Sequence, residues 1–108
     1  MPVSRTYNIY VIELDKAVLK ENRFIEDNPN YETGMPCVYV GMSARSPEER
    51  FEQHKAGYKS AKFAKKYGIR LKPRLYLAHN PMTYDDACKM ERERARRLRN
   101  RGYGVWQK

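Results

Sequence analysis

The sequence predicts an α+β domain, a small three-stranded and mainly antiparallel sheet flanked by helices. Residues 7–14 (YNIYVIEL) and 36–42 (PCVYVGM) are short apolar runs rich in β-branched and aromatic side chains, the pattern of buried strands. Residues 70–78 (RLKPRLYLA) supply a third such run, whose Pro73 argues for an edge position or a bulge. Helix-start signals stand between and after these runs. Ser46 is an N-cap with Pro47 at the first helical position and Glu49 closing a capping box, and Thr83 with Asp86 repeats the pattern.

Residues 1–5 read as a short tail ahead of the first strand. Residues 15–35 break the strand pattern. A helix is expected over 16–27, with Val18, Leu19, Phe24 and Ile25 on or near one side, and Asn28-Pro29-Asn30 and Gly34 are turn signals. Gly41 in the second strand marks a bulge or a close backbone approach. The helix capped by Ser46 runs to Gly57, and a short helix covers 60–67 before Gly68. The longest runs from Thr83 to about Arg101, with Gly102 and Gly104 beyond its end. Val105 and Trp106 add a short extended tail. With no internal repeat, low-complexity tract or linker, residues 1–108 read as one domain.

Composition narrows the function classes. At 41% hydrophobic and 12% aromatic residues the chain can form a core, which excludes full disorder. No run approaches the roughly 18 apolar residues of a membrane span. The N-terminus lacks the apolar region of a secretory signal, so a cytoplasmic location is expected. Cys37 and Cys88 lie too far apart in sequence for a metal-binding pair and read as reduced, partly buried thiols. The net charge of +9 is unevenly placed: residues 1–54 carry a net −3 and residues 55–108 a net +12. A basic half on a small domain suggests a polyanionic partner, most simply nucleic acid, against the plainer reading of a solubilising surface. Lys59, Lys62 and Lys66, with Arg92, Arg96 and Arg99 on the solvent side of the long helix, are the candidates for phosphate contact.

Within the long helix Ala87, Cys88, Met90, Ala95 and Leu98 share one side, with Glu91 near the middle of the stripe and Glu93 facing outward among arginines. An inward carboxylate must be paired or bind a metal, because burying an unpaired charge is costly. Arg94, also near the stripe, is the alternative partner. Arg50 and His54, four residues apart, project from one helix face. Arginine offers a planar fork for phosphate oxygens and histidine exchanges a proton near neutral pH. The plainer readings are a surface ion pair with a neighbour such as Glu49 and a simple surface histidine.

Of the nine tyrosines, Tyr58, Tyr67 and Tyr103 read as packing or nucleic-acid-facing rings, whereas Tyr10 and Tyr39 sit inside strands. By strand alternation Tyr10 shares a face with Asn8 and Ile12, and Tyr39 shares one with Cys37 and Gly41. If the strands pair, both hydroxyls open onto one site; the alternative is two core tyrosines with satisfied hydroxyls. The chain holds no phosphate-cradling Gly-rich loop and no zinc spacing. His79 beside Asn80-Pro81 reads as a loop residue, and Cys37 has no neighbouring histidine to make it a nucleophile.

The order of these pieces resembles the GIY-YIG endonuclease family. They are Asn8-Ile9-Tyr10 in one strand, Tyr39-Val40-Gly41 followed by Ser43 in the next, Arg50-x-x-x-His54 on a helix, and Ala87-x-x-x-Glu91 on a later helix. The resemblance runs from about Tyr7 to Leu98. Asn8 stands where the family has its first glycine, and Met42 stands where some members carry a lysine. The 15–35 segment, an insertion between the first two strands, separates motifs that usually lie close together.

The resemblance implies a metal-dependent endonuclease that hydrolyses DNA phosphodiester bonds. Tyr10, Tyr39, Arg50, His54 and Glu91 would be its catalytic residues, and Glu91 would hold a single Mg²⁺ or Mn²⁺. Arg50 would grip the scissile phosphate, and Tyr10 would act as general base or orient the water, assisted by His54 and Tyr39. A free tyrosine titrates near about 10, so a Tyr10 base needs help from the cation or from His54. DNA is the expected partner, with RNA open, and neither a membrane nor a small-molecule cofactor is expected. The alternatives are an inactive nucleic-acid-binding module of the same fold and a basic RNA-associated accessory protein. Oligomeric state is left open.

Overall fold

Two adjacent apolar strands with complementary side-chain alternation pair and lay down the sheet. In the computed structural model, which describes residues 5–107, β1 (Asn8–Leu14) runs antiparallel to β2 (Cys37–Ser43), with Tyr10 opposite Gly41 and Ile12 opposite Tyr39. Residues directly opposite share a face. Tyr10, Ile12, Leu14, Cys37 and Tyr39 therefore point to one side, and Ile9, Val11, Val38 and Val40 to the other.

The sheet has four strands and is mixed, where three mainly antiparallel strands are expected from sequence. β3 (Gly68–Leu71) is antiparallel to β1, and β4 (Gly104–Gln107) is parallel to β2, giving the order β3-β1-β2-β4. The tail at Val105 and Trp106 is a strand because β2 has a free edge for it. β4 places Gly104 and Trp106 on the Tyr39 side and Val105 and Gln107 on the opposite side.

The third strand is displaced from 70–78 to Gly68–Leu71. The Lys72 N–H still donates to the Val11 carbonyl at 2.8 Å, and the chain then turns away, with Pro73 at the first position of a 3₁₀ segment (Pro73–Leu75) that is followed by another at Leu77–His79. The same edge of β1 is then filled by other means. The Asn80 side chain accepts from the Ile9 N–H and donates to the Ile9 carbonyl, both at 2.8 Å, and Met82 exchanges two backbone bonds with Tyr7. Asn28 does the same for β4: its Oδ1 accepts from the Val105 N–H at 2.8 Å and its Nδ2 donates to the Val105 carbonyl at 3.0 Å. In each Asn-Pro dipeptide the asparagine amide thus stands in for a missing strand.

The helices cover both faces. α2 (Pro47–Ala56) and α3 (Lys62–Tyr67) contact β1 on the tyrosine side, and α4 (Tyr84–Asn100) packs on the other, against β1, β2 and β4. The caps are those expected. Ser46 Oγ accepts from the Glu49 N–H, Thr83 Oγ1 from the Asp86 N–H, and Gly57 closes α2 at φ 88°, in the left-handed region glycine tolerates. The helix expected over 16–27 is broken at the extended Glu21 into a 3₁₀ turn (Lys16–Lys20) and α1 (Asn22–Glu26). Val18 and Phe24 are buried there, whereas Ile25 is 48% exposed. Cys37 is buried and Cys88 half-buried, both as free thiols. Among the described residues no helix is long and apolar enough to cross a membrane. Of the expected N-terminal tail, all but the exposed Arg5 lies outside the described residues.

Candidate active site

The site is built around the cross-strand pair Tyr10–Gly41. A Cβ at position 41 would lie 2.5 Å from Tyr10 Oη, 2.6 Å from its Cζ and 2.9 Å from Tyr39 Cε2. Gly41 is therefore required by the two rings that occupy its side-chain space. The ladder is continuous there, so the expected bulge is absent, and the close approach is made by side chains.

α2 delivers His54 onto these rings. His54 is 1% exposed, its ring centroid lies 5.9 Å from that of Tyr10 and 5.3 Å from that of Tyr39, and its Nε2 is 2.8 Å from Tyr10 Oη. It is a buried member of the cluster, not a surface histidine. The Ala61 N–H donates to His54 Nδ1 at 3.1 Å, so Nδ1 is an acceptor and the neutral ring carries its hydrogen on Nε2. His54 Nε2–H thus donates to Tyr10 Oη. Burial, with the Arg50 charge adding to it, pushes the His54 pKa down to about 4, which keeps this tautomer neutral at physiological pH.

Tyr10 and Tyr39 are packed at 6.1 Å between centroids. Burial, reinforced by Tyr39, pushes Tyr10 well above the ordinary tyrosine range, and the Arg50 charge partly opposes this. Tyr39 is also raised, by burial first, and the charge of Glu91 adds to that rise. Both phenols are therefore neutral in the resting site.

Arg50, one turn before His54, is half-buried and held without a carboxylate. Its guanidinium donates to Gln53 Oε1 (3.2 Å) and to the carbonyls of Tyr58 (3.1 Å) and Lys59 (2.7 Å). Glu49 pairs with Arg45 instead, so the ion pair weighed from sequence is not formed. Neutral acceptors orient the Arg50 fork while leaving its charge uncompensated.

Glu91 lies on the opposite side of the sheet, on α4. Its Oε1 accepts from Gln107 Nε2 at 3.0 Å, and the alternative partner Arg94 turns away to His79 Nε2 at 2.8 Å. Burial raises the Glu91 pKa, and the Gln107 hydrogen bond and the Arg92 charge moderate the rise. Four of the five candidates therefore form one cluster on the α2 face. Glu91 stands apart, held by Gln107 of β4, and its charge contributes to the raised pKa of Tyr39. Among the described residues no three His, Cys, Asp or Glu side chains converge. As a hard, half-buried oxygen donor in no ion pair among the described residues, Glu91 fits a cation that keeps most of its water shell.

The basic candidates divide. Lys59, Lys62 and Arg92 are exposed and outside any ion pair among the described residues. Lys66 pairs with Glu21 and Arg96 with Glu93, where Arg96 and Arg97 together hold the Glu93 carboxyl down at about 2. Arg99, expected on the solvent side, is half-buried and donates to Asn28 Oδ1 and the Val105 carbonyl, so it braces β4.

Sequence reasoning missed the groups that hold the site in place: Gln107, the Ala61 N–H and the carbonyls of Tyr58 and Lys59. Reading Val105 and Trp106 as a strand paired to β2 would have found Gln107 and placed Trp106 beside Tyr39. The backbone groups carry no sequence signal. No family model matches the chain, and neither does any curated protein or solved structure.

Proposed function

We propose that the chain is a metal-dependent endonuclease of the GIY-YIG type that hydrolyses DNA phosphodiester bonds. The supporting observation is the buried Tyr10–His54–Tyr39 cluster with the uncompensated Arg50 charge beside it. Arg50 binds the scissile phosphate through the edge of its fork and stabilises the charge that builds on it. Tyr10 orients the attacking water as a neutral phenol. Its oxygen is held by His54 Nε2–H, and that hydrogen bond, with the Arg50 charge, favours any negative charge that develops on Tyr10. Tyr39 closes the water site from the side and carries the influence of Glu91. Glu91 would hold the divalent cation, Mg²⁺ or Mn²⁺, and that ion would supply neutralisation of phosphate charge.

The test is direct. The purified chain with Mg²⁺ or Mn²⁺ converts supercoiled plasmid to nicked or linear product. Glu91→Ala lowers that rate by at least about 10³-fold while DNA affinity stays nearly unchanged. Unaltered cleavage in the variant overturns the metal assignment.

A second reading, a nucleic-acid-binding module without activity, is favoured by one observation. Arg50 clamps the turn at Lys59, whose φ of 43° is left-handed for a non-glycine residue. On that reading Arg50 is a structural brace and the wild-type chain binds DNA without cutting it.

A further inference from the structure

One cavity on the tyrosine side of the sheet lies outside the site just described. It measures about 510 Å³ and is lined by Lys20, Glu21, Arg23, Lys62, Phe63 and Trp106 among others. Trp106 stands opposite Tyr39 in the β2–β4 register, so its ring is the immediate same-face neighbour of a candidate catalytic tyrosine. Phe63 backs it at 4.6 Å between centroids, and Trp106 remains half-exposed.

The charge around the ring is one-sided. Glu21, the acid of the group, is already engaged by Tyr67 Oη at 2.6 Å and Lys66 Nζ at 3.3 Å. Lys20, Arg23 and Lys62 are exposed and form no ion pair among the described residues. An aromatic face ringed by uncompensated cations is the chemistry that takes an unstacked nucleotide, the base on the ring and the phosphates on the cations.

We propose that this cavity is a nucleotide subsite, in which the base of an unpaired DNA nucleotide lies against Trp106 and its flanking phosphates contact Lys20, Arg23 and Lys62. The proposal rests on the endonuclease reading and extends it to the substrate: DNA carrying unpaired nucleotides beside the cut. It also assigns a role to the 15–35 segment, which brings Lys20 and Arg23 to the edge of the active face.

Trp106 is the chain's single tryptophan, so its emission reports on the cavity directly. Oligothymidylate titrated into the full chain without metal quenches Trp106, and a blunt duplex of equal length quenches it less. Lys20→Ala/Arg23→Ala weakens oligothymidylate binding about tenfold near 0.1 M salt and lowers the log–log salt slope by about 1.4. Arg74→Ala/Lys89→Ala removes the same charge from exposed positions elsewhere and changes affinity less than about twofold. Unchanged Trp106 emission with oligonucleotide bound by anisotropy, or equal weakening in the two double variants, overturns the subsite. If plasmid cleavage persists in that case, the subsite alone fails. If no DNA binds at all, the endonuclease reading fails with it.

Discussion

On one face of the sheet Tyr10, Tyr39 and His54 bury polar atoms among themselves, while on the other α4 meets the strands through Ala87, Ala95 and Leu98 and keeps its polar groups, Glu91 and Arg94, half-buried. The difference follows from charge. Phenols and a neutral imidazole can be buried when each finds a partner: Tyr10 has His54, and His54 has both Tyr10 and the Ala61 N–H. A carboxylate cannot be buried so cheaply, and Glu91 accordingly sits near the edge of the sheet with a neutral amide partner and its pKa raised. The tyrosine face is built for position, and the α4 face supplies the ionisable group that needs access to water or a cation.

The largest test of this contrast is at Gly41. A methyl group there meets both tyrosine rings, whereas the opposite face is untouched. Gly41→Ala should cost about 3 kcal/mol in urea denaturation and displace Tyr10 from His54. A loss below about 0.5 kcal/mol would mean that the rings have room to move.

Next is the strand that joins the two faces, since β4 carries Trp106 on one side and Gln107 on the other. Asn28→Ala removes bonds to the Val105 N–H, the Val105 carbonyl and the Phe24 carbonyl; Arg99 still donates to the Val105 carbonyl, but the buried Val105 N–H loses its partner. About 2–3 kcal/mol of stability should be lost, with amide exchange accelerating first at residues 104–107.

The pH dependence separates the faces again. His54 titrates near 6.5 when unfolded and about 4 when folded. Between those values the unfolded chain binds a proton that the native chain refuses, so stability present above pH 6.5 is lost as pH falls toward 4. The loss should be on the order of 3 kcal/mol and should vanish from the slope of a His54→Gln variant followed by thermal denaturation. Glu91 works in the opposite sense: its raised pKa favours the native state as pH falls toward the ordinary carboxylate value. An unchanged slope in His54→Gln would show that burial of the ring does not govern acid sensitivity.

The smallest effect is on the outside of α4. Arg92→Ala should leave stability within about 0.5 kcal/mol, weaken DNA binding a few-fold and reduce the salt slope by about one. Arg99→Ala should behave differently, because Arg99 holds Asn28 and the Val105 carbonyl. Equal effects of the two on stability would contradict that division.

Much of this architecture was legible in the chain itself. Local signals act over a few residues, so the Ser46 and Thr83 caps, the Gly57 stop and the two tyrosine strands could be read directly. The helical spacing of Arg50 and His54 placed them on one face, whereas strand alternation gave Tyr10 and Tyr39 their neighbours within each strand and left their shared face to the β1–β2 register. The inward position of Glu91 followed from the apolar stripe of α4. Charge counting found the basic half.

Tertiary structure decided what depends on a partner distant in sequence. β4 is a strand because β2 offers it an edge, and β3 ends where Pro73 opens a 3₁₀ turn that carries the chain off the β1 edge. Asn28 and Asn80 look like ordinary turn residues until Val105 and Ile9 present unpaired backbone groups to them. The tautomer of His54 is set by a backbone N–H seven residues away, and the roles of Arg94 and Arg99 are set by His79 and Val105. Residue type and spacing determined which side chains face inward; the long-range pairing of backbone groups decided which of them meet.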